Sequence, residues 1–110
     1  MASETFKNAG IQGVTNADNS LLTVASGHTY IVRTIFITET AGNAEVYNLW
    51  WTDSSNGDAV TYIQESQALS ATGNVNISRL LILEAGDVLH MQCDDAADVD
   101  VTINYVDQTL

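Results

Sequence analysis

A segment near the end of the chain alternates strictly between apolar and polar residues. The apolar positions are Val99, Val101, Ile103 and Tyr105. The residues between them are Asp, Thr or Asn. A period of two is typical of an antiparallel strand with one buried and one solvated face. The segment therefore predicts an all-β fold in which these four apolar side chains point into the core.

Other extended segments recur along the chain at intervals of about 10 to 15 residues, separated by turns rich in Gly, Asn, Asp and Ser. They lie at residues 6–14, 21–24, 29–39, 45–52, 59–64, 75–78 and 80–93. This pattern predicts a single-domain antiparallel β-sandwich or jelly-roll-like fold with seven to eight strands. We expect the sandwich over residues 20–110 and an N-terminal arm or first strand over residues 1–19.

Two features predict a covered outer surface. The segment 29–39 is apolar on both faces, and Trp50 and Trp51 are adjacent, so they must point to opposite faces. Either loops cover the second face, or that face is a subunit interface, where Trp and Tyr are favoured. The interface candidates are Phe6, Ile11, Arg33, Ile35, Trp50 and Trp51.

The charge balance excludes several kinds of partner. The chain has 14 acidic residues and only three Lys or Arg, giving a net charge of -11. Binding to nucleic acid or to an anionic membrane requires clustered basic residues, so neither is expected. The sequence has no apolar stretch long enough for a membrane span, and its first residues do not resemble a signal peptide. We therefore expect synthesis in a cytoplasm.

The chain offers no recognisable active site. Cys93 falls on the apolar side of its predicted strand, which favours a buried structural thiol. His28 and His90 have no ligand or base partner nearby in sequence, so we expect them to be incidental surface residues. Asp94, Asp95, Asp98 and Asp100 are typical of a solvated turn, with Ca²⁺ binding as the alternative. We expect no enzyme activity and no cofactor, and a melting temperature that EDTA leaves unchanged.

Two motifs support a family resemblance. Residues 24–35 contain V-x-x-G-x-x-Y-x-V-x-x-I, and residues 83–89 contain L-x-x-G-D-x-L. With the closing strand at 99–105, the region from about residue 20 to 106 resembles small bacteriophage virion proteins with a β-sandwich fold. The second motif also occurs in cupins, lectins and viral jelly rolls, but the chain lacks the His/Glu metal cluster of cupins.

The resemblance implies a structural virion protein. The expected function is that of a capsid decoration (cement) protein, which binds the outer surface of the head and stabilises it. The expected partners are the major capsid protein or other virion proteins, and the chain is expected to form a homotrimer located in the virion. The alternatives are a phage tail, neck or fibre component, and a carbohydrate-binding β-sandwich in which Trp50 or Trp51 stacks on sugar with Tyr47 or Tyr62.

Overall fold

The computed structural model describes residues 3–95 and 98–109, and within them it contains nine strands and one short 3-10 turn at Ser54–Asn56. The strands are β1 (Ser3–Val14), β2 (Asn19–Thr23), β3 (His28–Glu39), β4 (Glu45–Asp53), β5 (Ala59–Leu69), β6 (Asn74–Ile77), β7 (Leu81–Leu83), β8 (Val88–Cys93) and β9 (Val99–Thr109). All pairings between them are antiparallel. The all-β prediction is therefore confirmed.

The strands form two sheets. The first has the order β1-β9-β3-β6, with β7 also paired to β3, and the second has the order β2-β8-β4-β5. Strands β6 and β7 pair with successive parts of β3, so they act as two pieces of one strand. The described residues thus form nine strands where seven or eight were expected, but they fill eight positions in the two sheets because β6 and β7 share one. Their order is that of a jelly roll.

The core lies between the two sheets. Its largest fully buried side chains include Tyr47, Leu49, Leu89, Met91 and Ile103, which come from three central strands. In β9 the predicted alternation is confirmed, because Val99, Val101 and Ile103 are buried and Tyr105 is half-buried.

A β-bulge in β3 overturns one sequence-based interpretation. Val32 pairs with Tyr105 and Thr34 pairs with Asn104, so Arg33 is an extra residue with no partner on β9. The bulge shifts the alternation by one residue, as such insertions do. Tyr30 and Val32 before the bulge and Ile35 and Ile37 after it consequently all point inward, whereas Ile31 and Phe36 lie on the outer face.

The two resemblance motifs lie side by side in the structure. The Gly86 N–H donates to the Val24 carbonyl at 2.9 Å, and the Val24 N–H donates to the Asp87 carbonyl at 3.0 Å. The Asp87 carboxylate accepts the backbone N–H groups of Glu84 and Ser54, at 2.8 and 2.9 Å. The Gly-Asp turn before β8 is therefore bonded to Val24, directly after β2, and to Ser54, directly after β4.

Candidate interaction surfaces

An apolar row crosses the outer face of the first sheet. Phe6 pairs with Val106, Val106 with Ile31, and Ile31 with Ile82. Residues directly opposite each other in antiparallel strands share a face, so these four side chains form one line across β1, β9, β3 and β7. We call them the apolar row. Phe6 is 82% exposed and Ile82 55% exposed, whereas Val106 between them is buried.

The bulge places a positive charge beside the apolar row. Arg33 is exposed and, with Phe6, lines an open depression of about 350 Å³. The other residues that line this depression are Lys7, Asn8, Asn104, Tyr105 and Val106. Among the residues that the structure describes, Arg33 forms no ion pair. In a chain with a net charge of -11, this surface combines apolar area with an unpaired guanidinium group.

A second row crosses the outer face of the other sheet. Ser20 pairs with His90, His90 with Trp50, and Trp50 with Tyr62. We call His90, Trp50 and Tyr62 the aromatic row. The rings of Trp50 and His90 are stacked, with centroids 5.2 Å apart and an interplanar angle of 3°, and the Tyr62 ring lies 6.0 Å from Trp50. Tyr62 is 51% exposed, so the row is accessible to a partner.

His90 is held on both sides by hydrogen bonds, contrary to the expectation that it is incidental. Its Nδ1 lies 2.8 Å from Asp18 Oδ1, and its Nε2 lies 3.0 Å from Thr52 Oγ1. This is the hydroxyl–imidazole–carboxylate order of a nucleophilic triad, which also requires N–H groups that stabilise an oxyanion. However, β4 is paired on both sides, so the N–H groups around Thr52 are used in the sheet. The network fixes the His90 ring against Trp50.

His28 is not incidental either. Its Nδ1 lies 2.6 Å from a carboxylate oxygen of Asp107, and Lys7 Nζ lies 3.1 Å from the other oxygen. Asp107 is buried. Its hydrogen bond with His28 lowers the pKa of the Asp107 carboxyl the most, and Lys7 lowers this pKa further, whereas burial raises it. The group joins β1, β3 and β9 at one end of the first sheet, and its charges are satisfied within the chain.

Cys93 is buried, as predicted. Burial raises the pKa of its thiol to about 12, so at neutral pH it is protonated and a poor nucleophile. The structure therefore supports a structural thiol.

Three of the interface candidates pack in or against the core, and the other three lie on the outer faces of the sheets. Ile35 is 2% exposed and belongs to the core because the bulge reverses its direction, so its placement on an outer face was wrong. Ile11 and Trp51 are half-buried and pack against the core. Phe6 and Arg33 lie at the surface of the first sheet, and Trp50 lies on the outer face of the second.

Sequence reasoning missed most members of the two rows. Val106 and Ile82 belong to the apolar row, and His90 and Tyr62 belong to the aromatic row. Tyr62 was considered only as a sugar-stacking partner of a tryptophan. Each residue is inconspicuous in its own segment, because the apolar row forms only when four strands are placed in register and the aromatic row only when three are. No local signal in the sequence identifies them.

Comparisons with known proteins identify the fold. No protein-family model matches the chain, and no curated protein matches it. Among solved structures, it is similar to a chain of the IBDV viral particle (7% identity, TM-score 0.58), covering 97% of this chain but only 31% of that one. A chain from the capsid of Helicobacter pylori bacteriophage KHP30 matches at 11% identity and a TM-score of 0.52, covering 97% of this chain and 92% of the other.

A third similar structure is not viral. The Drosophila NLP core, studied for its pentamer formation and histone binding, matches at 15% identity and a TM-score of 0.51. That match covers 94% of this chain and 95% of the NLP core. Together the three matches show that this sandwich fold is shared by viral capsid chains and by a cellular protein. Within the described residues, no helix is long and apolar enough to cross a membrane.

Proposed function

We propose that this chain is a structural virion protein, and specifically a bacteriophage decoration protein that binds the outer surface of the capsid and stabilises the head. The observation that carries the proposal is the apolar row beside Arg33 on the outer face of the first sheet. Such a surface is suited to a protein partner, because aromatic residues and Arg are enriched at protein interfaces.

The energetics favour association through this surface. Phe6 leaves most of its ring in water, and covering it would contribute roughly 1.5–3 kcal/mol. Ile82 and Ile31 extend the same surface, while Arg33 can pair with a carboxylate of the partner. The rest of the chain is strongly acidic and repels copies of itself, so contact through this face should strengthen as salt screens the repulsion.

The comparison with the phage capsid chain supports a role as a small capsid component. The match to the KHP30 chain covers almost the whole of both chains, so the two have similar lengths. In this role the chain acts through contacts and needs no catalysis, which agrees with the hydrogen-bonded, structural placement of both histidines. Its location is the virion, after synthesis in the host cytoplasm, and its partner is the major capsid protein or another virion protein.

The proposed oligomer is a homotrimer. The NLP core is described as forming a pentamer, so the fold does not dictate a single subunit number. Native mass spectrometry over a range of protein concentrations measures the number directly. Trimers support the proposal, and a protein that is monomeric at every concentration contradicts it.

The central experiment compares two row variants with a matched control. Phe6→Ser and Ile82→Ser each remove one exposed apolar side chain from the apolar row, and Val60→Ser removes one from the second sheet. Each protein is mixed with heads assembled from the major capsid protein of the virus that encodes this chain, and bound protein is measured after sedimentation. We expect the row variants to bind at least about tenfold more weakly than Val60→Ser. Equal binding by all three contradicts the proposed surface.

A tail, neck or fibre component is the nearest alternative within the virion. Cryo-EM of virions that carry this chain distinguishes the two. For a tail, neck or fibre component, density for the chain lies on the tail and not on the outer surface of the head.

The aromatic row favours a second candidate function, carbohydrate binding. Sugar rings stack on exposed aromatic faces, and Trp50 lies between His90 and the exposed Tyr62. The other sequence-based candidates do not fit: Tyr47 is in the core and hydrogen-bonds to Gln64, and Trp51 packs inward. A glycan array tests this function. Binding that is lost in Trp50→Ala, together with no binding to heads, would favour the lectin.

A further inference from the structure

The structure contains one buried carboxylate that lacks a full set of partners. The buried acidic residues among those described are Glu39, Glu45, Asp87 and Asp107. The Glu39 carboxylate accepts four backbone N–H groups, the Asp87 carboxylate accepts two, and Asp107 is paired with a lysine and a histidine. Three of the four therefore have their charge satisfied, as buried charges normally do.

Glu45 differs from the other three. It is 2% exposed, and its Oε1 accepts the N–H of Asp95 at 3.0 Å. Its Oε2 is buried and has no hydrogen-bond partner among the described residues. A buried oxygen without a partner carries a large desolvation penalty, so something must compensate it in the native protein.

Two more carboxylates lie beside this residue. Oxygen atoms of Glu45, Asp95 and Asp98 are within 4.8 Å of one another. Three carboxylates this close repel one another when ionised, and burial keeps water from screening Glu45. The site therefore requires a positive species, which is either a proton or a cation.

The ligand set fits Ca²⁺. All three candidate ligands are carboxylate oxygens, which hard divalent cations prefer. Typical Ca²⁺–O distances are roughly 2.3–2.6 Å, so oxygens within twice that distance of one another can contact a single ion. Mg²⁺ requires shorter bonds in near-ideal octahedral geometry, and carboxylates from separate turns are less suited to it.

We propose that Glu45, Asp95 and Asp98 bind one Ca²⁺ ion that holds Asp95 and Asp98 against Glu45 at the start of β4. Glu45 begins a strand of the second sheet, whereas Asp98 immediately precedes β9 of the first sheet. The Asp98 carbonyl also accepts the N–H and hydroxyl groups of Thr40, at 2.8 and 3.1 Å. The ion would therefore join the two sheets at the point where the chain crosses between them. The site replaces the expectation that the acidic turn is merely solvated, and it does not depend on the virion role.

The test uses the whole chain after EDTA treatment and removal of the chelator. Calorimetric titration with CaCl₂ and MgCl₂ measures binding, and thermal unfolding is recorded with EDTA, Ca²⁺ or Mg²⁺. We expect about one Ca²⁺ per chain. The melting temperature should rise by at least about 5 °C at a Ca²⁺ concentration 100-fold above the dissociation constant.

Three variants show whether these residues hold the ion. Glu45→Gln and Asp98→Asn each remove one ligand charge, and Asp58→Asn makes the same charge change at a distant exposed turn. We expect the first two to lose at least about 90% of the Ca²⁺-induced shift and Asp58→Asn to keep it. In EDTA, Glu45→Gln should melt no lower than the original chain, because it removes an uncompensated buried charge.

Several outcomes would overturn the proposal. The first is an EDTA-treated chain that releases or absorbs no heat with CaCl₂ and melts at the same temperature with and without Ca²⁺. That result would mean that a proton, and not a cation, compensates the Glu45 carboxylate. A second is an equal response to Mg²⁺, which contradicts the assignment to Ca²⁺. A third is a full Ca²⁺ response in Asp98→Asn, which serves as the deciding variant if Glu45→Gln does not fold.

Discussion

Val32 and Ile35 both point into the core although they are three positions apart along one strand. An unbroken strand would place them on opposite faces, but Arg33 is inserted between the pairs Val32–Tyr105 and Thr34–Asn104. The same insertion exposes Arg33 beside the apolar row. The inserted residue thus lets both halves of β3 bury side chains in the core, and its own guanidinium group lies on the outer face of the sheet.

Deleting Arg33 should destabilise the chain strongly. Without the extra residue, one half of β3 must turn its buried side chains outward, because a shift of one residue exchanges the two faces of a strand. Arg33→Ser is the control, since it keeps the bulge and removes only the side chain. We expect the deletion to lower the free energy of unfolding in urea by at least about 3 kcal/mol and Arg33→Ser to change it by less than about 1 kcal/mol. Equal effects would contradict the bulge.

Val101→Asp should prevent folding. Val101 is 1% exposed in the middle of the core, and an unpaired carboxylate there costs at least about 3 kcal/mol. The adjacent Thr102→Asp introduces the same charge on the exposed face of β9 and should leave the chain folded. Circular dichroism and urea unfolding of both variants provide the measurement. A soluble Val101→Asp protein with unchanged unfolding would be incompatible with the inward direction of β9.

The two tryptophans should differ in what their loss affects. Trp51 packs against the core, so Trp51→Ala should lower the free energy of unfolding by about 2–3 kcal/mol. Trp50 stacks on His90 on the outer face, so Trp50→Ala should lower it by no more than about 1 kcal/mol. Any effect on assembly, head binding or glycan binding should come from Trp50. Urea unfolding and native mass spectrometry of both variants test the difference, and the reverse order of stability loss would contradict it.

Acid should destabilise the fold partly through Glu39. The N–H groups of Thr72, Ala41, Gly42 and Asn43 lower the pKa of this carboxyl below its ordinary value of 4.5. A carboxyl group whose pKa is lower in the folded state than in the unfolded state stabilises the fold at every pH above its unfolded pKa. This contribution is lost as the pH falls through its folded pKa. We therefore expect urea midpoints to decrease progressively below about pH 4.5. Asp107, whose pKa is also lowered, contributes with the same sign.

Glu39→Gln isolates that contribution. The amide cannot accept four N–H groups as a carboxylate does, so the variant should be less stable at pH 7 and should lose less stability between pH 7 and pH 3. Glu65→Gln, at an exposed position of β5, is the matched control and should follow the original chain. An unchanged pH dependence in Glu39→Gln would show that other carboxyl groups cause the acid sensitivity.

The sequence by itself determined the class of fold. Strict alternation from Val99 to Tyr105 and turns at Gly and Asn positions are local properties, and they predict antiparallel strands without reference to the rest of the chain. The same holds for Cys93, which the period of two assigns to the buried side of its strand. The charge balance likewise predicts, from composition alone, that the chain does not bind nucleic acid.

Only the tertiary structure decided which residues form the surfaces and the proposed ion site. The bulge at Arg33 is invisible in a pattern of residue types, because an inserted residue changes direction only relative to a neighbouring strand. The apolar row requires the register of four strands, and the aromatic row requires the register of three. Glu45 reaches Asp95 from a distance of 50 residues in the chain. Local sequence sets how each segment extends, whereas pairing between distant segments determines which side chains come together.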